Sequence, residues 1–128
     1  VKVLNDKNKQ LTFLIACDTR KSKDVLKYAL SAGVLSENAN IIDLGIIPTP
    51  AISYLIKKYN ADGGFVISAS HNPSEYNGIK VFDKDGYKLA DELEDKIENI
   101  WKNKKSKDFR NTLLNNRQSI NICCNCNE

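Results

Sequence analysis

Between Ile67 and Lys80 the chain reads Ile67-Ser68-Ala69-Ser70-His71-Asn72-Pro73-Ser74-Glu75-Tyr76-Asn77-Gly78-Ile79-Lys80, a short span that holds hydroxyls, an imidazole, amides and an ammonium. Two chemistries use such groups. Ser70 beside His71 suggests a nucleophile and its base, but adjacent residues on an extended segment point apart. No third, orienting acid is placed by the sequence, so a hydrolase triad is disfavoured. Phosphoryl transfer asks mainly for positioning and positive charge around the phosphate oxygens, which Lys80, Arg20 and backbone N–H groups can supply. A polar loop with an Asn-Pro turn is the structural alternative, and the residues alone leave the two readings level.

The elements that would carry this span follow from hydrophobic patterning. Leu11 to Cys17 is a nearly continuous apolar run, the signature of a buried strand, and it delivers Asp18-Thr19-Arg20 at its carboxyl end. From Ser22, an expected N-cap, Val25, Leu26, Ala29, Leu30 and Val34 recur at helical spacing. Asn40 to Gly45 is a second strand. Pro48-Thr49-Pro50 then opens a helix with Thr49 as N-cap and Pro50 at the first helical position. Gly63 to Ser68 is the third strand, and strands alternating with helices of this length imply right-handed crossovers and a mainly parallel sheet.

The span from Ala69 to Asn77 therefore sits in a loop at the carboxyl end of a strand, the edge where open α/β sheets bind ligands. Gly78 to Phe82 makes a fourth strand, expected antiparallel because the preceding loop is too short for a parallel return. Asp83-Lys84-Asp85-Gly86 reads as a turn. Asp91 and Glu94 form a capping-box-like start to a last helix, whose apolar stripe is Leu93, Ile97, Ile100 and Trp101, with Trp101 assigned to the core. The predicted fold is a three-layer α/β/α sandwich with a four-stranded mixed, mainly parallel sheet. Residues 1–105 form the domain, and 106–128, rich in asparagine, form a disordered or extraneous tail.

Composition narrows the function classes. A chain of 128 residues suits one domain, and 41% hydrophobic with 27% charged residues is ordinary globular usage. The net charge of +3 is too small to imply a nucleic-acid or membrane partner. The cationic run Lys102, Lys104, Lys105, Lys107 and Arg110 reads as a solvated tail, since no aromatic interleaving accompanies it. Cys17 lies alone in an apolar strand, while Cys123, Cys124 and Cys126 have neither disulfide-framework nor paired zinc spacing. With no bilayer-length apolar run and no export-signal pattern at Val1 to Asp6, the cytoplasm is the expected compartment.

Ser68-Ala69-Ser70-His71-Asn72-Pro73, with Tyr76-Asn77-Gly78-Ile79-Lys80 and Asp85-Gly86-Tyr87-Lys88-Leu89 after it, closely resembles the phosphoserine loop of the α-D-phosphohexomutases. Asp18-Thr19-Arg20, Asp43-Leu44-Gly45 and Pro48-Thr49-Pro50 extend the resemblance upstream, in the order of that family's first domain, so that it covers residues 11 to 101. It implies that Ser70 is the phosphorylated residue and, through its phosphate, a Mg2+ ligand. His71 and Asn72 line the site, Lys80 helps proton transfer at the sugar hydroxyl, and Arg20 and Asn77 hold substrate or phosphate. The serine at Ser68 resembles the phosphoglucosamine mutase branch, which interconverts glucosamine 6-phosphate and glucosamine 1-phosphate through a bisphosphate intermediate; phosphomannomutases and phosphoglucomutases more often carry threonine there.

The resemblance also implies what stands outside this sequence. Family members run to four domains, and this chain corresponds to one, lacking the opening Gly-Thr-Asp-Gly-x-Arg-Gly. The Asp-Gly-Asp-x-Asp-Arg magnesium loop, the sugar-selecting loop and the phosphate-clamping loop of domains II to IV are missing as well. Partners are thus a phosphosugar, its bisphosphate intermediate and those domains. Turnover by the chain alone is expected to be negligible, and the competing class is a non-catalytic domain. Nucleic-acid binding through the basic tail ranks last.

Overall fold

A computed structural model describes residues 9–103. The cysteine cluster, most of the basic run and the expected tail from residue 106 lie outside the described residues, as do the side chains of Trp101 and Asn103. The elements follow the predicted order: β1 (Thr12–Cys17), α1 (Lys23–Leu35), β2 (Asn40–Ile46), α2 (Thr49–Tyr59), β3 (Gly63–Ile67), β4 (Ile79–Phe82) and α3 (Asp91–Asn103).

The strands lie in the order β2-β1-β3-β4. β1 is parallel to both β2 and β3, and β4 runs antiparallel to β3, with Ile67 opposite Ile79 and Gly64 opposite Phe82. The short connection from Ser68 to Gly78 fixes that direction, since a parallel return needs a longer crossover. The carboxyl ends of β1 and β3 therefore share one edge of the sheet with the start of β4.

Strand alternation sends one set of side chains to each face. Phe13, Ile15, Cys17, Phe65 and Ile67 are buried on one face with Val34 of α1, and Leu26 and Leu30 pack against them. Leu14, Ala16 and Val66 are buried on the other with Ile52 and Ile56 of α2. The sheet is thus covered on both sides, giving the predicted three layers. Close approach of α2 depends on Gly64, where an added Cβ would lie 2.9 Å from the Ile56 Cδ1 atom.

Three local expectations shift. Pro48 rather than Thr49 is the N-cap of α2, with an extended backbone at φ −60° and ψ 140°, so the helix starts one residue earlier. Thr49 is itself helical and Pro50 sits in the first turn, where its missing N–H is harmless. Asp91 likewise lies inside α3, since the Ala90 carbonyl accepts from the Leu93 and Glu94 N–H groups. The apolar stripe of α3 is only partly covered, with Ile97 44% and Ile100 38% exposed. No helix among the described residues is long and apolar enough to cross a membrane.

Candidate functional site

The Ser68–Gly78 loop leaves β3 at the shared carboxyl edge. Ser68 begins it as the one buried polar residue among the described residues. Its backbone N–H donates to the Gly78 carbonyl at 2.9 Å, which closes the base of the loop. Its hydroxyl oxygen accepts the Ser70 N–H at 3.1 Å. Ser70 has φ +53°, a left-handed conformation that a side chain other than glycine adopts at a cost of about 1–2 kcal/mol.

The exposed Ser70 hydroxyl meets Lys80, which reaches back from β4 and donates from Nζ to Ser70 Oγ at 2.5 Å. β4 sets this contact, because Lys80 pairs with Val66 in the antiparallel ladder and so lies close to the end of β3. His71 and Asn72 are exposed beside Ser70, and their side chains make no hydrogen bond among the described residues. The structure thus gathers Ser70, His71, Asn72 and Lys80 on one edge.

Arg20 and Asn77 are placed differently. The Arg20 side chain is only 9% exposed. Its Nε donates to Asp18 Oδ2 at 2.9 Å, its Nη1 to the carbonyls of Pro73 at 2.6 Å and Tyr76 at 2.8 Å, and its Nη2 to those of Ser70 and Asn72, each at 2.9 Å. A guanidinium has five N–H donors, so the phosphate-holding role expected of Arg20 finds no free donor in this arrangement. Asn77 turns into the protein: its Nδ2 donates to Ser22 Oγ at 3.0 Å, and its Oδ1 accepts the Gly78 N–H at 2.9 Å. Ser22 is the N-cap residue of α1, as expected, but its side chain makes no cap hydrogen bond and is tied to the loop instead.

Two participants carry no role that the sequence assigns. Asp18 accepts both the Arg20 backbone N–H at 3.0 Å and the Arg20 Nε. Partial burial pushes the Asp18 carboxyl up, but the Arg20 donors and the neighbouring Ser68 hydroxyl outweigh this and hold it below the usual carboxylate range. Ser68 is marked in the sequence only as a strand end and a family-branch residue. A polar residue closing a fully apolar strand is the available signal for it, and an acid two residues before an arginine is the signal for Asp18.

Magnesium, which the resemblance implies, wants about six oxygen ligands in near-octahedral array. No group of three or more His, Cys, Asp or Glu side chains among the described residues could hold a metal ion. Glu75 is the one carboxylate on the loop itself, and Asp18, which meets the loop through Arg20, is occupied by that guanidinium. The described residues therefore do not make a magnesium site by themselves.

Comparison with known proteins gives the family. Residues 1–108 match the family described as phosphoglucomutase/phosphomannomutase, alpha/beta/alpha domain I. A phosphoglucosamine mutase of Clostridium botulinum (strain Loch Maree / Type A3) is 57% identical over 101 residues, which is 79% of this chain and 22% of that protein. One from Thermoanaerobacter sp. (strain X514) is 62% identical over 91 residues, covering 71% of this chain and 20% of that protein. The chain thus spans about a fifth of the length of the curated relatives it matches. A crystal structure from Thermus thermophilus, provisionally described as a phosphomannomutase, superposes with a TM-score of 0.69 at 30% identity, covering 77% of this chain and 22% of that one. The match over residues 1–108, the three-layer fold and the loop at its carboxyl edge lead to one conclusion: the chain belongs to the phosphoglucomutase/phosphomannomutase family, as its α/β/α domain I.

Proposed function

We propose that this chain is the phosphoserine-bearing domain of a phosphosugar mutase that interconverts glucosamine 6-phosphate and glucosamine 1-phosphate, with Ser70 as the residue that takes and returns the phosphoryl group. The observation that carries the reading is the Lys80 Nζ to Ser70 Oγ contact of 2.5 Å at the carboxyl edge of the sheet. A phosphoserine bears close to two negative charges, and an ammonium at that distance both holds it and stabilises charge that develops on Oγ during transfer.

In the proposed step the bond from Ser70 Oγ to phosphorus breaks as a sugar hydroxyl oxygen forms its own bond to phosphorus. The proton leaving that hydroxyl ends on Ser70 Oγ, and Lys80 Nζ is placed to relay it. His71 and Asn72, exposed beside Ser70, are free to meet the phosphosugar. The bisphosphate formed would turn and return its other phosphate to Ser70. The cytoplasm is the proposed compartment.

The preference for glucosamine rests on the two phosphoglucosamine mutases of 57% and 62% identity. The test is a chimera in which residues 11–101 of this chain replace the corresponding segment of the Clostridium botulinum relative. It is assayed with glucosamine 6-phosphate and with mannose 6-phosphate. Glucosamine turnover that disappears in Ser70→Ala supports the proposal. A folded but inactive chimera would instead favour a non-catalytic domain.

A further inference from the structure

We infer that Arg20 is a positioning residue that sets the shape of the Ser70 loop by holding its backbone carbonyls, and that it does not contact the transferred phosphate. The inference rests on the proposed phosphoserine role of Ser70 for its functional consequence, and on geometry alone for the clamp.

Arg20 lies just beyond β1, while the carbonyls it gathers belong to Ser70, Asn72, Pro73 and Tyr76. Four carbonyls of one short loop converging on one cation leave that loop little freedom: without it the Pro73 carbonyl would keep the Tyr76 N–H, and the others would need a separate partner or water. Asp18 completes the clamp. It fixes the guanidinium through Nε, and it is itself anchored where β1 ends, its N–H donating to the Ile67 carbonyl at 3.0 Å. The buried Ser68 hydroxyl then ties the Ser70 N–H to the same base.

The arrangement has a consequence for Ser70. No peptide bond among the described residues is cis, and in a planar trans peptide the N–H points opposite to the C=O. With the Ser70 carbonyl drawn to Nη2, the His71 N–H faces away from the cation, and the Ser70 side chain is left exposed toward Lys80. The left-handed φ of Ser70 is thus sustained by contacts on both sides of the residue, its N–H and its carbonyl. Lysine could not substitute, since a compact ammonium lacks the planar five-donor fork.

The experiment compares wild type, Arg20→Lys and Arg20→Ala in two measurements. The first is amide hydrogen exchange at Asn72 and Tyr76, whose N–H groups donate within the loop to the Ala69 and Pro73 carbonyls. In Arg20→Lys these amides should exchange roughly tenfold faster or more while the β1 and β3 amides keep their protection, the pattern of local rather than global opening. Added guanidinium ion should restore part of that protection in Arg20→Ala.

The second measurement is the rate of Ser70 phosphorylation from glucosamine 1,6-bisphosphate as a function of donor concentration. A misplaced nucleophile lowers the saturated rate, here by about 100-fold, with little change in the half-saturating concentration. A phosphate ligand would instead raise the half-saturating concentration, and that result overturns the inference. So does unchanged exchange at Asn72 and Tyr76 in Arg20→Lys. Absence of phosphorylation in wild type counts against the Ser70 role in this chain, and the exchange measurement still decides the clamp.

Discussion

β4 is flanked by two connections that are built on opposite principles. At its far end the turn Asp83 to Tyr87 satisfies itself: Asp83 Oδ1 accepts the Asp85 and Tyr87 N–H groups, each at 2.9 Å, and the Asp83 carbonyl accepts the Gly86 N–H at 3.1 Å. Its left-handed position, φ +77°, falls on Gly86. At the near end the Ser68–Gly78 loop is held by a cation from beyond another strand, and its left-handed position falls on Ser70. A turn that only reverses the chain uses local acceptors and a glycine. The loop proposed to do chemistry places strain on a hydroxyl-bearing residue and needs outside support to keep it there.

Arg20→Ala should sharpen that contrast most. It takes the guanidinium from four carbonyls and from the Asp18 carboxylate, of which Pro73 keeps the Tyr76 N–H and Asp18 the backbone N–H of residue 20, and the expected loss is about 3 kcal/mol, read by urea unfolding. A loss near zero would mean that water supports the loop as well as Arg20 does. Next comes Gly86→Ala, where a Cβ would lie 2.6 Å from the Ser53 carbonyl oxygen on top of a positive φ, and about 2 kcal/mol should be lost. Ser70→Gly should go the other way. Relieving the left-handed backbone raises stability by about 1 kcal/mol while removing the proposed nucleophile. Lowered stability in this variant would show that the Ser70 side chain supports the fold.

The smallest effect is on acid stability. Because the folded carboxyl of Asp18 titrates below its unfolded value, its contribution is present above about pH 3.9 and is lost as pH falls through the lower folded value. Urea unfolding followed from about pH 5 to about pH 2 should therefore show an acid-dependent loss that Asp18→Asn diminishes. The difference is expected to be under about 1 kcal/mol, since Asp18 is partly solvated. An unchanged acid profile in Asp18→Asn would remove the carboxylate from the clamp.

Much of this frame is legible in the residues. Apolar runs ending in polar loops announce three strands, and the shortness of the Ser68–Gly78 connection announces the antiparallel fourth. The Ser70, His71 and Lys80 grouping follows from placing that loop at a carboxyl edge. The part Arg20 plays is not legible, because its partners are backbone carbonyls 50 to 56 residues away, and a carbonyl has no residue-type signature. The left-handed Ser70 is hidden for a similar reason, since a serine does not announce positive φ as glycine does. The N-cap moves from Thr49 to Pro48 because two prolines flank the threonine and either start is sterically permitted. The stripe of α3 matches helical spacing, yet spacing cannot say what covers a helix face.

The chemistry proposed for this domain depends on Ser70 above all. Intact-protein mass should be measured before and after incubation with glucosamine 1,6-bisphosphate and magnesium, with Ser70→Ala in parallel. A gain of one phosphate is expected in the wild type and none in the variant. A folded wild type that gains nothing, or a Ser70→Ala protein that gains the same mass, would contradict the role assigned to Ser70.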